Sequence, residues 1–252
     1  MATVTVHIIE SPSPDDFLDD RREGHALRSA LAHAQIPAEL YTVVDEERFF
    51  SAIGKIIGYH HNRDQKNDIP IVHLSMHGND ACVALTNGKE FQWDVLGAAI
   101  GLANSTLGET LLVAMSTCHG FKAIEMARVE GKPPFLALVG PTDVVAWRDT
   151  VAAFVAFYHY LVRSEGKITD ATNVMNSVLA RQNPLFNMAS GYEVQASFKA
   201  QIKNPKTLRE RIVAAEEAKC MELATSKAEA VRRGWQSVID QIRRAGEDSP
   251  TD

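Results

Sequence analysis

Three cysteines in 252 residues, Cys82, Cys118 and Cys220, are too few and too widely spaced for a disulfide framework or a Cys-x-x-Cys metal knuckle. Reduced thiols are the expected state. A long apolar run is also missing. The N-terminal MATVTVHIIESPSPDD is one short apolar stretch followed by acids, which is neither a basic-then-apolar leader nor a membrane span. The expectation is a cytoplasmic protein with no membrane partner. Positive charge is in short supply too, with 26 Lys and Arg against 32 Asp and Glu and a formal net charge of −6. Nucleic-acid binders gather a basic excess on one face, so nucleic acid is not an expected partner. Internal repeats and low-complexity linkers are absent. What is there, 45% hydrophobic and 23% charged residues, suits an ordinary globular protein long enough to bury a sizeable core.

Short runs of Val, Ile and Leu alternate with amphipathic stretches, the pattern of a mainly parallel sheet with helices on both faces. A strand over 3–9 stops at Pro12-Ser13-Pro14, and a helix over 23–35 follows with Leu27 and Leu31 on one face. A strand over 40–44 precedes a helix over 46–57 that turns Phe49, Phe50, Ile53 and Ile57 inward. The third strand, 69–76, ends at His77-Gly78. Asn87-Gly88 reads as a two-residue turn joining 81–86 to 89–93 in a β-hairpin insertion, and Asp94 as the cap of the next helix. Strands over 111–115 and 135–139, an apolar buried helix over 147–163, a helix over 170–181 and a sixth strand over 192–198 complete a three-layer α/β/α sandwich on a six-stranded sheet. One domain over 1–203 is expected. Beyond it charged residues and Ala take over, while Leu208, Ile212, Val231, Trp235, Val238 and Ile242 keep three- and four-residue spacings. A C-terminal helical extension over 204–252 is therefore expected to pack on the body or on a regulatory protein partner.

In open parallel sheets the ligand crevice lies beyond the carboxyl ends of the strands. His77 ends the third strand and Cys118 follows the fourth, and with one helix between those strands they are expected to be neighbours in the sheet. Peptide cleavage needs a nucleophile, a proton carrier for the leaving amine and donors for the developing oxyanion. Cys118 precedes a helix whose terminal partial charge would favour thiolate. His77 can protonate the leaving group. Gly78 has no side chain to cover its N–H, which with the Cys118 N–H can hold the oxyanion.

The block IPIVHLSMHG followed by ETLLVAMSTCHG resembles the paired signature of the caspase-like cysteine peptidases of clan CD, which include caspases, metacaspases, gingipains, separases and CHAT domains. The likeness runs over about 3–198 and is nearest in character to the bacterial CHAT and short caspase-like members. It implies a caspase-like fold and a cysteine endopeptidase acting through a thioester, with His77 and Cys118 as the dyad, Gly78 at the oxyanion, no cofactor, and a protein or peptide substrate. It also implies pocket positions. Ser116 stands where metacaspases carry an acid that selects basic residues, Arg21 and Arg22 lie near the origin of a caspase pocket arginine, and Asp143 and Trp147 follow the strand where the groove is built. The departures at Ser116 and Thr117 leave specificity open. The connection AIEMARVEGKPPF is too short for a helix and a cleavable linker, which points to control by a partner or by the first-strand loop.

Each residue also has a plainer role. His77 and Cys118 can be buried polar filler, and a caspase-like scaffold that binds without cleaving is the main alternative. His73, His77 and His119 lack a nearby acid or second Cys to complete a zinc site, so no metal is expected. His73 is read as core-facing, His119 as the first residue of a helix, and His60-His61 as solvated loop residues. Arg21 and Arg22 can be solvated, and Trp147 can simply begin a buried helix. Cys82 and Cys220 are read as apolar fillers. A class I glutamine amidotransferase fits poorly, because there the nucleophile precedes its His and sits in a Gly-x-Cys-x-Gly turn.

Overall fold

The computed structural model describes residues 3–61, 68–179, 181–203, 217–231 and 233. β1 (Thr3–Ser11) is a Val-, Ile- and Thr-rich run that stops at Pro12, which has no N–H to give a ladder. Ser13 then caps α1 (Pro14–Leu18), its hydroxyl accepting from the Asp16 N–H at 3.1 Å, with Pro14 opening the helix. Next come α2 (Glu23–His33), β2 (Ala38–Thr42), α3 (Glu46–His61) and β3 (Asp68–Gly78). A small hairpin, β4 (Cys82–Ala84) and β5 (Glu90–Gln92), leads to α4 (Trp93–Thr106) and β6 (Leu112–Ser116). A 3-10 segment (Gly120–Ala127), β7 (Ala137–Pro141), α5 (Trp147–Arg163), α6 (Ile168–Ser177), β8 (Phe186–Ser190) and α7 (Gly191–Lys203) follow.

The main sheet runs β2-β1-β3-β6-β7-β8, parallel throughout except for the β7–β8 pair. Successive strand residues point to opposite faces, so each strand feeds two cores. One face sends Val72, Leu74, Val113 and Met115 against Phe49, Ile53 and Ile57 of α3 and Leu96 and Ile100 of α4. The other sends Val6, Ile8, Ile71 and Ala114 against Leu27 and Leu31 of α2 and Phe154, Phe157 and Tyr158 of α5. Helices on both faces of a six-stranded, mainly parallel sheet are the α/β/α sandwich expected from the sequence.

Several local expectations are corrected. The sixth strand is β8, and the segment 192–198 lies in α7 instead. The hairpin turn has three residues, because the Leu85 N–H donates to the Lys89 carbonyl and Gly88 takes a φ of +80°. Gln92, not Asp94, is the cap of α4; Asp94 lies in its first turn and accepts from the Val95 N–H at 2.8 Å. His60 is buried in α3 with its Nε2 2.8 Å from Nε2 of His7, so it is no solvated loop residue. Cys220 is exposed rather than a filler, whereas Cys82 is buried.

The helical stretch 217–231 lies on the body. Met221 and Ala228 are buried, Thr225 Oγ1 accepts from the Glu130 N–H at 3.1 Å, and Lys227 Nζ meets Asp94 at 2.9 Å. Val231 is half-buried, while Leu208, Ile212, Trp235, Val238 and Ile242 lie outside the described residues. Among the described residues no helix is long and apolar enough to cross a membrane.

Candidate active site

β3 and β6 are adjacent and parallel, and Ser75 opposite Ser116 is their last registered pair. His77 and Cys118 each lie two residues further on. By the period of two, His73, Ser75 and His77 share the face covered by α2 and α5. His77 and Cys118 both line one cleft of about 260 Å³, together with Asp16, Glu23, Ser116 and Trp147. An imidazole and a thiol on opposite faces would have excluded joint chemistry. They are not.

The loop after β1 supplies a residue that the sequence reading passed over. Asp16 Oδ2 lies 2.5 Å from His77 Nε2 and also accepts from the Ser13 hydroxyl at 2.7 Å, while Arg21 Nε meets Oδ1 at 2.9 Å. Burial works to raise the Asp16 pKa, but the hydrogen bonds from His77 and Ser13 and the charges of His77 and Arg21 outweigh it and hold the carboxyl below its ordinary 3.8. The spacing Ser13-x-x-Asp16 after Pro12, a relative of the capping box, was the signal for an ordered acid there.

Gly78 sits where the hairpin leaves the sheet. The Asn79 N–H donates to the Cys82 carbonyl at 3.0 Å, so Gly78 and Val83, one step along, form the non-hydrogen-bonded pair. The Gly78 N–H therefore turns away from β4. A Cβ on Gly78 would come within 2.2 Å of Thr117 Oγ1, so no side chain fits against the residue before Cys118.

Behind Cys118 the geometry departs from expectation. The following segment is a 3-10 turn, with His119 left-handed at φ +55° as its cap rather than its first residue. The His119 N–H is spent on the Asp143 carbonyl at 3.2 Å and the Gly120 N–H on the Thr117 carbonyl at 2.9 Å. These two amides cannot also serve the Cys118 sulfur, so the expected helix-terminus contribution to thiolate is weakened. Gly120 and Gly140 meet backbone to backbone here: a Cβ on Gly140 would lie 2.8 Å from the Gly120 carbonyl carbon.

The pocket positions divide. Ser116 lies in the cleft and its hydroxyl donates to Glu23 Oε1. Arg21 and Trp147 line the cleft; Trp147 begins α5 as expected, but at 45% exposure it does not pack into the core there. Arg22 does not line it, because its guanidinium is drawn inward to the buried Glu10 at 3.1 Å and to Thr42 at 2.9 Å. Asp143 does not line it either; its carboxylate folds back on the Val144 N–H at 2.7 Å. Glu10, Glu23 and Ser75 are cleft residues the sequence reading did not single out. His73 faces the core, with Nδ1 2.9 Å from the Tyr158 hydroxyl. Burial pushes the Cys82 thiol up, aided by the Glu90 charge, which leaves it a poor nucleophile. Among the described residues no three His, Cys, Asp or Glu are grouped to hold a metal ion.

A secreted C11 cysteine protease of Bacteroides thetaiotaomicron, iotapain, superposes with a TM-score of 0.55 over 80% of this chain and 70% of that one, at 12% identity. The fold is caspase-like. Iotapain is described as a C11 cysteine protease, so the likeness carries the fold and not the CHAT branch expected from the sequence. At 12% identity it is a likeness of fold. No family profile and no curated protein matches the chain by sequence.

Proposed function

We propose that the protein is a cysteine endopeptidase with Cys118 as nucleophile and His77 as proton carrier. The observation that carries this is the meeting of His77, Asp16 and Cys118 at one cleft beyond the carboxyl ends of β3 and β6. Asp16, held ionised, takes the hydrogen on His77 Nε2 and leaves Nδ1 to exchange a proton with the reacting groups. The Cys118 thiol passes its proton to His77 Nδ1 and the sulfur attacks the scissile carbonyl carbon, and the oxyanion that forms faces the N–H groups of Gly78 and Cys118. His77 delivers its proton to the leaving amine as the C–N bond breaks, giving a thioester. Water, losing a proton to His77, then hydrolyses the thioester and restores the thiol. Trp147 on the cleft wall is exposed, and so are Phe17, Leu18 and Val144, which lie within two residues in sequence of the lining residues Asp16 and Val145. Exposed apolar side chains so placed suit an extended polypeptide rather than a small metabolite.

The test is Cys118→Ala. It is expected to abolish cleavage of a diverse peptide library and labelling by electrophilic peptide probes, with an unchanged circular dichroism spectrum. Equal turnover by the variant would refute the assignment. A folded wild-type chain whose Cys118 reacts with no probe would instead favour the scaffold that binds without cleaving.

A further inference from the structure

We propose that the helical stretch 217–231 is a clasp that holds the Cys118 turn in register with the His77 loop, with Thr225 and Lys227 as its positioning residues. Its seating then sets the rate of the dyad and not the binding of substrate. This rests on the reading of His77 and Cys118 as a protease dyad and names what aligns the two. They leave the sheet by separate routes. From His77 the chain runs through Gly78 and Asp80 into the β4–β5 hairpin and on to α4, where the buried Trp93 turns its Nε1–H back to the Asp80 carbonyl at 2.9 Å. From Cys118 it runs through His119 into the 3-10 segment, which ends at Arg128.

The clasp touches both routes. Lys227 Nζ reaches Asp94, in the first turn of α4, at 2.9 Å. Thr225 Oγ1 accepts from the Glu130 N–H at 3.1 Å, and Glu217 lies 3.8 Å from the Arg128 guanidinium. The circuit closes beside the sulfur, where Asp80 Oδ1 stands 3.4 Å from Nδ1 of His119, the residue after Cys118. None of the residues 217–231 lines the cleft that holds His77 and Cys118. Their influence on the dyad can therefore pass only through these loops.

A 3-10 segment needs such a brace. Its hydrogen bonds are poorly aligned and runs beyond about four residues are uncommon, yet this one spans the 8 residues Gly120–Ala127. Its near end is pinned where Gly120 meets Gly140. Its far end is gripped between α7, whose Gln195 Nε2 donates to the Val129 carbonyl at 2.8 Å, and Thr225 of the clasp. Between the two it lies against α4, since a Cβ on Gly97 would fall 3.0 Å from the Met126 Cβ. Freeing the far end loosens the turn that carries Cys118, and a displacement of about 1 Å at reacting atoms can cost about a hundredfold in rate. The clasp can lift without opening the core. Of the residues 217–231 only Met221 and Ala228 are buried, and a cavity of about 270 Å³ lined by Gly97, Gly101, Glu130, Thr225 and Ala228 runs along the seam.

The experiment follows labelling of Cys118 in the full chain by a peptidyl acyloxymethyl ketone, the fastest of a diverse set on the wild type, and separates the limiting rate from the concentration giving half that rate. Met221→Asp is expected to lower the limiting rate about ten- to a hundredfold while the half-rate concentration stays within about twofold, and to raise hydrogen exchange over 120–130 together with 217–231. A residue that only adds stability would leave both the rate and the exchange of 120–130 unmoved in the folded variant. Should Met221→Asp not fold, a charge swap decides: Lys227→Asp is expected to slow the limiting rate about two- to fivefold, and adding Asp94→Lys to restore it. A released 217–231 with a wild-type limiting rate, or a Lys227→Asp loss that the swap does not restore, overturns the clasp and leaves the protease standing. Failure of every probe to label wild-type Cys118 overturns the protease reading, and the clasp with it.

Discussion

A carboxylate 2.5 Å from His77 Nε2 fixes which ring nitrogen carries the hydrogen, and it comes from α1, 61 residues earlier in the chain. Asp16→Asn keeps the shape and removes the charge that stabilises a protonated imidazole. It is expected to lower kcat by one or two orders of magnitude with little change in KM, and to alter the pH profile, which a purely structural residue would not do. A stability effect accompanies it. The folded Asp16 pKa lies below the ordinary 3.8, so its contribution is fully present above about pH 4 and is lost as pH falls through the depressed value. The wild-type lead over Asp16→Asn in urea midpoint should therefore shrink on acidification below pH 4. His77 and Cys118 were legible in the sequence because each ends an apolar run next to a glycine-bearing turn. Asp16 and Glu23 were not, since their meaning lies in partners 61 and 93 residues away, and locally one reads as loop and the other as a helix start.

At the scale of elements, periodicity located the strands that carry the site and missed the strand that does not. α5 occupies the span its apolar pattern predicts, with Phe154, Phe157 and Tyr158 in the core. β8 is FNMAS, with no β-branched residue to announce it, while the neighbouring YEVQASF alternates like a strand and folds as helix. What holds β8 is a side chain in α6. Asn176 accepts from the N–H groups of Leu185 at 3.0 Å and Phe186 at 2.9 Å and donates to the Phe186 carbonyl at 2.8 Å. Asn176→Ala should orphan these groups and cost about 1–3 kcal/mol, read as a lower urea midpoint at unchanged m. Hydrogen exchange is expected to rise first in β8, which joins the sheet along β7. An unchanged midpoint would show that this edge is held by its ladder instead.

Across the whole molecule, composition and alternation gave the class of fold correctly, because a sheet covered on both faces leaves its mark on every strand. The docking of 217–231 was not legible: of the apolar stripe read from the sequence only Val231 falls in this stretch, and Met221 and Ala228, which it buries, belong to no spacing that the sequence reading singled out. Met221 is its buried anchor. Met221→Asp is expected to release the stretch, raising hydrogen exchange over 217–231 while protection in β1, β3 and β6 stays as in the wild type; equal protection in 217–231 would place the anchor elsewhere. Finally, the cleft has unequal jaws. Behind the sulfur, Gly120 and Gly140 already touch main chain to main chain, and that wall has no clearance to give. The opposing wall is α1, five residues with none buried, tethered by a serine cap and the ion pairs of Asp16 and Arg21. A polypeptide needing more room must push that short helix aside, and doing so pulls Asp16 off His77, so an ill-fitting substrate disarms the machinery it enters.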